Sequence, residues 1–274
     1  MRITYYGTGA GEAWPGVFCQ CRVCREARRL GGKNIRTRSQ ALVNDDLLLD
    51  LPPDNQLHSL YFGLDLSRVK SLLFTHSHSD HCYLPDLEFL RRPFSHTHDD
   101  ILEIYGNEAI EELLRREPGG LGSQEARYRY HTVPCHVPFE TSGYRVLPLR
   151  ARHAGNERCL FYRISRDGKN LLYAHDTGRF WPDCLEALEA QPGKLDLVSL
   201  DCTSQKHRDG AYHMGLRDVW EQKQELLERG LADENTIWVV NHFSHNGELL
   251  HEELEREAQK LGFLASYDGM TVEF

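Results

Sequence analysis

The run Thr75-His76-Ser77-His78-Ser79-Asp80-His81 gathers three imidazoles and a carboxylate directly after the apolar Ser71-Leu72-Leu73-Phe74. Imidazole nitrogen and carboxylate oxygen are ligands for first-row divalent ions, so the run reads as a metal site rather than a polar turn. Side chains alternate faces along an extended segment. On that geometry His76, His78 and Asp80 share one side and His81 turns to a neighbouring position, an arrangement that serves two ions better than one.

A second set of ligands lies nearer the N-terminus. Cys19-Gln20-Cys21-Arg22-Val23-Cys24 offers three thiolates on a loop too polar for a core, and a closed structural zinc site wants four ligands. His245, three residues beyond His242, is the expected fourth, with His242 entering the other centre. Zinc would then tie the N-terminal segment to the last of the ligand-bearing strands.

The elements that must position these groups are legible as short apolar runs ending on candidate ligands. Ser71 to Thr75 leads to His76; Tyr144 to Leu149 is followed by His153; Asn170 to Ala174 leads to His175 and Asp176; Leu195 to Leu200 leads to Asp201; Thr236 to Asn241 leads to His242. Runs of this kind, bounded by turn residues, read as buried strands. Leu216, Val219, Trp220, Leu226 and Leu227 keep one helical face up to Gly230, and Leu250, Leu254, Ala258 and Leu261 do so up to Gly262. Sheets covered by helices are implied. Residues 91 to 143 are less regular and more polar, and are expected at the periphery, over the site.

At 274 residues the chain is long enough for a substantial core, and it carries no repeat or linker that would divide it. A single domain over 1–274 is expected. The N-terminus reads as a strand running into a glycine turn rather than a cleavable signal. No apolar run approaches the ~18 residues of a membrane helix. A cytoplasmic protein without a membrane partner is the expectation. Eight cysteines distributed as one trio and five scattered residues do not look like a paired framework. A net charge of -9 argues against a broad nucleic-acid surface, though two cations would leave the pocket itself attractive to an anion. Arg22, Arg25, Arg28, Arg29 and Lys33 around the cysteine loop read as structural compensation. Arg36 and Arg38 are candidates for reaching a substrate phosphate.

With His76, His78, Asp80, His81, His153, Asp176 and His242 in this order, the chain resembles the metallo-β-lactamase superfamily, whose signature is His-x-His-x-Asp-His followed by a distant His, an Asp and a final His. The resemblance implies an α+β fold, a four-layer αββα sandwich. It also implies that His76, His78 and His153 hold one ion and Asp80, His81 and His242 the other, with Asp176 bridging them. Two ions ~3.5–4 Å apart sharing a water fit that division. Asp50 matches an early aspartate that supports a metal-bound histidine. The three cysteines with His245, Gly7-Thr8-Gly9 and Trp14-Pro15-Gly16 are similar to the cyclic-phosphate phosphodiesterase family of the carbon-phosphorus lyase pathway. That likeness implies a dinuclear centre of manganese or zinc, with iron also admitted, and one structural zinc. By the same likeness His213, ahead of a helix, is the candidate for protonating a departing alkoxide or holding a phosphate oxygen, with His207 a weaker competitor.

The expected activity is hydrolysis of a small anionic phosphodiester, cyclic ones included, by a hydroxide bridging two ions. Catalysis is expected from His213, Asp176 and Asp80. Three alternatives stay open: a nuclease resembling the tRNA 3′-processing endonuclease, a lactone or ester hydrolase, and a non-hydrolytic protein similar to the coenzyme PQQ biosynthesis component. That last family typically has a degraded dinuclear ligand set, whereas all seven ligands stand here. Nucleic acid is not expected as a partner, and homodimerisation is left open.

Overall fold

Short apolar strands, most of them buried at nearly every position, build two sheets of seven strands each among the described residues. The computed structural model describes residues 1–96, 101–117, 120–123 and 126–274. In the first sheet β1 (Arg2–Gly7), β2 (Gln40–Val43), β3 (Leu47–Leu49), β4 (Ser71–Leu73), β5 (Leu102–Gly106) and β6 (Tyr128–Thr132) lie side by side. The second holds β7 (Phe139–Thr141), β8 (Tyr144–Arg150), β9 (Leu160–Arg166), β10 (Lys169–Ala174), β11 (Leu197–Asp201), β12 (Ile237–Asn241) and β13 (Leu264–Ala265) in the same way. The last strand, β14 (Met270–Glu273), returns to the outer side of β1.

Both faces of each sheet are buried. Leu171 and Tyr173 of β10 pack with Ile3, Leu47, Leu73 and Val239 between the sheets, while Leu172 and Ala174 point outward into a second cluster. Covering that outer face are α1 (Arg22–Leu30), α4 (Pro182–Glu189), α5 (Leu216–Glu228) and α6 (His251–Lys260), through Ala27, Leu185, Val219 and Leu254 among others. Against the outer face of the first sheet lie α2 (Asn55–Phe62) and α3 (Glu108–Arg116), the latter through Ile110 and Leu114. The result is the expected α+β sandwich of four layers, with each fully buried Leu or Ile contributing roughly 1.5–3 kcal/mol.

Strand direction decides where the chemistry falls. β3 and β4 run parallel, as do β10, β11 and β12. Parallel neighbours bring their C-terminal ends to the same edge, so residues following each strand converge there.

Three expectations need correction. Residues 75 to 82 are not extended: His81 N and Cys82 N both donate to His78 O, at 3.0 and 2.8 Å. This turn separates Asp80 from His76 and His78. The part of 91–143 that can be described is regular, forming β5, α3, β6 and β7, and it extends the sheets; residues 97–100, 118–119 and 124–125 lie outside the described residues. Trp220 is 41% exposed and does not belong to the buried face of α5.

Candidate metal centre

Strands arriving at the shared edge must turn sharply to present their ligands. Asp50 directly follows β3 with φ 62°, Asp176 stands two residues past β10 with φ 49°, and His242 directly follows β12 with φ 63°. Left-handed backbone costs a residue with a Cβ of order 1 kcal/mol or more. Here it folds the three side chains back over the strand ends.

Two clusters result. In one, His78 Nδ1 is 2.9 Å from His76 Nε2 and 3.2 Å from His153 Nε2. In the other, Asp176 Oδ2 is 2.7 Å from His81 Nε2 and 3.2 Å from His242 Nε2, and Asp80 Oδ2 is 3.3 Å from His81 Nε2. Asp176 stands between them, 3.7 Å from His76 Nε2 and 3.8 Å from His153 Nε2. Gly11 closes over the second cluster. A Cβ there would lie 3.0 Å from Asp80 Oδ2, a tight contact that would press on this carboxylate.

These residues fit divalent ions. His81 Nε2 and His242 Nε2 are buried and form no hydrogen bond despite their nearness to Asp176. Ligands held at ~2.1 Å from one ion sit ~3 Å apart, close to the spacing of these donor atoms. Protonation points the same way. Burial, joined by the neighbouring imidazoles, pushes His76 well below the ordinary histidine range; it likewise lowers His153, leaving both rings neutral. Burial works against charge on His81 too, yet Asp176, Asp50 and Asp80 raise it well above that range. Despite burial, His242 and His81 hold the Asp176 carboxyl well below the usual range. The cluster of carboxylates thus demands positive charge.

Two threonine relays orient the rings. His242 Nδ1–H donates to Thr203 Oγ1 at 2.8 Å, and the Thr203 hydroxyl donates to Asp201 Oδ2 at 3.0 Å. On the opposite sheet His76 Nδ1–H donates to Thr75 Oγ1 at 2.9 Å, and Thr75 donates to Asp50 Oδ2 at 3.0 Å. Asp50 Oδ2 also accepts from His81 Nδ1 at 2.7 Å. Each relay engages Nδ1 and so turns Nε2 toward the pocket, the orientation a metal ligand needs. Glu157 pins the loop between His76 and His78, accepting from Ser77 Oγ at 2.7 Å and Asn107 Nδ2 at 2.7 Å. His175 faces away, toward Ser199 Oγ at 2.8 Å and Asn241 Nδ2 at 3.1 Å.

His213 lines the same cavity of about 490 Å³. Its Nδ1 donates to Asp201 Oδ2 at 3.1 Å and lies 3.5 Å from Asp176 Oδ1. Burial lowers its affinity for a proton, but Asp201 and Asp176 more than compensate, lifting the pKa to about 9. Asp201 is itself fixed by Thr203 N at 3.1 Å and Met214 N at 2.9 Å.

Cys19, Cys21, Cys24 and His245 form a separate cluster, their ligand atoms all within 4.8 Å of one another. His245 Nδ1 lies 3.8 Å from Cys19 Sγ and 3.7 Å from Cys21 Sγ. Backbone N–H groups of Cys21 and Cys24 point at the preceding sulfurs, each at 3.5 Å. Burial, with two thiols alongside, pushes Cys24 up to about 12, while the Cys21 amide holds Cys19 below its ordinary value. Three sulfurs and one imidazole converging in this way suit zinc.

Neither Arg36 nor Arg38 reaches the cavity. Arg36 is buried, donating to Thr8 Oγ1 and Ser266 O at 2.8 Å each; Arg38 donates to Gly11 O at 2.9 Å and pairs with Asp54 at 3.1 Å. Arg28 holds the cysteine loop through Cys19 O and Gly16 O, both at 2.8 Å. Sequence reasoning missed Thr75, Thr203 and Glu157. The hydroxyl beside His76 and the one two residues after Asp201 were the available signals.

The layers and the paired clusters define a metallo-β-lactamase-type hydrolase fold. The chain belongs to the β-lactamase superfamily domain family, whose pattern matches residues 48–231. Coenzyme PQQ synthesis protein B of Bradyrhizobium diazoefficiens is 26% identical over 90% of this chain and 82% of its own length. The crystal structure of a diphosphatase from the PhnP family superposes with a TM-score of 0.76 at 25% identity, covering 100% of this chain and 97% of the other. Zinc-bound PqqB from Methylobacterium extorquens matches with a TM-score of 0.70 at 16% identity, covering 100% of each, a likeness of fold.

Proposed function

We propose that the chain, folded as one domain over 1–274, is a dinuclear metal-dependent phosphodiesterase acting on a small phosphodiester. One observation carries this reading: six side chains from the segments that follow β4, β8 and β12 converge around Asp176, which follows β10, beside the Asp201–His213 pair, in a cavity of about 490 Å³.

His76, His78 and His153 would hold one cation, and Asp80, His81 and His242 the other, with Asp176 shared. When bound, such ions polarise phosphoryl oxygens and lower the pKa of water. Manganese or zinc suits this mixed nitrogen and oxygen donor set. The chain's own residues supply orientation and a proton. Asp50 and Asp201 fix the ring orientations through Thr75 and Thr203. His213, its Nδ1–H engaged by Asp201, keeps Nε2–H for the departing alkoxide, a role worth typically ~10²- to 10⁴-fold in rate. His245 and the three cysteines would hold a structural zinc.

The likeness to the PhnP-family diphosphatase supports phosphorus chemistry. The likeness to coenzyme PQQ synthesis protein B supports a second, non-hydrolytic reading, which complete histidine clusters do not require. Screening manganese-loaded protein against cyclic nucleotides, ribosyl cyclic phosphate, linear diesters and lactones separates the readings. Turnover confined to phosphodiesters, and lost in Asp176→Ala, is the expected result. Lactone turnover alone, or equal activity in that variant, overturns it.

A further inference from the structure

One wall of the cavity carries a carboxylate that the hydrolytic chemistry does not use. Glu12 lines it from the loop after β1, its side chain 36% exposed. Oε1 accepts from Ser244 Oγ at 2.5 Å and lies 3.6 Å from His245 Nε2. Oε2 has no hydrogen-bond partner among the described residues. The Ser244 contact fixes the carboxylate while leaving that oxygen to a ligand.

The rest of the wall explains what Glu12 faces. Ser204, His207 and Asn246 lie around it, and among the described residues lining the cavity there is no lysine, arginine, tryptophan, tyrosine or phenylalanine. The nearby cations are engaged elsewhere. Arg38 is held by Gly11 O and Asp54, Lys206 pairs with Glu248 at 2.5 Å, and Arg208 lies 3.4 Å from Asp218 and 3.0 Å from Glu221. A second phosphate on a substrate would therefore meet the Glu12 carboxylate with no guanidinium or ammonium to receive it. Like charges facing each other across a partly desolvated pocket repel, and a carboxylate rewards hydroxyl donors instead.

We propose that Glu12 is a specificity residue that selects singly charged phosphodiesters of a polyol or sugar and rejects those carrying a further phosphate. This rests on the phosphodiesterase reading and adds the class of alcohol. Glu12 is a positioning and selecting group; no bond to phosphorus involves it.

The test compares kcat/KM for ribose 1,2-cyclic phosphate and its 5-phosphorylated counterpart in wild type, Glu12→Gln and Glu12→Lys. The wild type should prefer the unphosphorylated sugar by ~10-fold or more. Glu12→Gln should narrow that ratio mainly through KM of the phosphorylated compound, and Glu12→Lys should invert it. Raising ionic strength should narrow the wild-type ratio and leave the Gln variant's unchanged. Inhibition by ribose 5-phosphate, a readout independent of turnover of that ester, should strengthen in Glu12→Lys. A wild type that takes the phosphorylated ester equally well, or a ratio unmoved in both variants, overturns the assignment of Glu12 alone. Absence of any phosphodiester turnover in the wild type overturns the parent reading.

Discussion

Asp50 Oδ2 receives the Nδ1 proton of His81 at 2.7 Å, with both side chains essentially sealed from solvent. The bond fixes which nitrogen of His81 faces Asp80 and Asp176. Replacing Asp50 with Asn keeps the shape and removes the charge, so metal affinity should fall ~10- to 100-fold. Titration of the apoprotein with manganese checks this; unchanged affinity would mean His81 is oriented by packing alone.

His213 is expected to act on the leaving group. Its replacement by Ala should lower kcat by ~10²-fold or more on alkyl diesters, and by much less on p-nitrophenyl esters, whose alcohol leaves without a proton. An equal loss on both would assign His213 to binding instead.

The cysteine cluster is expected to hold a zinc apart from the catalytic ions. Wild-type protein should carry about three ions per chain by elemental analysis, in keeping with a dinuclear centre plus one closed site. Cys24→Ser should carry one fewer and melt lower by roughly 5 °C or more. Equal metal content in the two proteins would remove the assignment.

Acid should weaken the fold through His58. Burial lowers its pKa to about 4, while Gln40 Oε1 and Thr37 Oγ1 lie 2.6 and 2.7 Å from its two ring nitrogens. An unfolded histidine titrates near ~6.5, so below that pH the unfolded chain binds the extra proton and stability falls until about pH 4. Between pH 7.5 and 5 this group alone should remove about 2 kcal/mol. Denaturant unfolding of wild type and His58→Asn at both pH values checks it: the variant should show that much less acid sensitivity.

Much of the site was legible because ligand chemistry constrains residue type and spacing. His76, His78, Asp80, His81 and the cysteine trio are local patterns, and His153, Asp176 and His242 follow strand-like runs. What escaped was geometry set by hydrogen bonds. The assignment of faces at His76–His81 failed because two backbone amides wrap the segment onto His78 O. Thr75 and Thr203 carry no chemical signature until folding sets them between a ring and a carboxylate. The strands within 91–143 were obscured because β6, at a sheet edge, is the largely polar and half-exposed Tyr-Arg-Tyr-His-Thr rather than an apolar run. Arg36 shows the same limit: nothing in its surroundings along the chain announces a guanidinium enclosed by Thr8, Ser266 and Phe243.

The left-handed turns at Asp50, Asp176 and His242 bear on how the polypeptide and its cations depend on each other. Without ions this rim still keeps three side chains on left-handed backbone that those residues disfavour, a cost set against the apolar layers. Replacing Asp176 with glycine should therefore leave a protein whose melting temperature gains far less from added manganese than the parent's does. Occupancy would be part of what completes folding, not merely what switches on turnover.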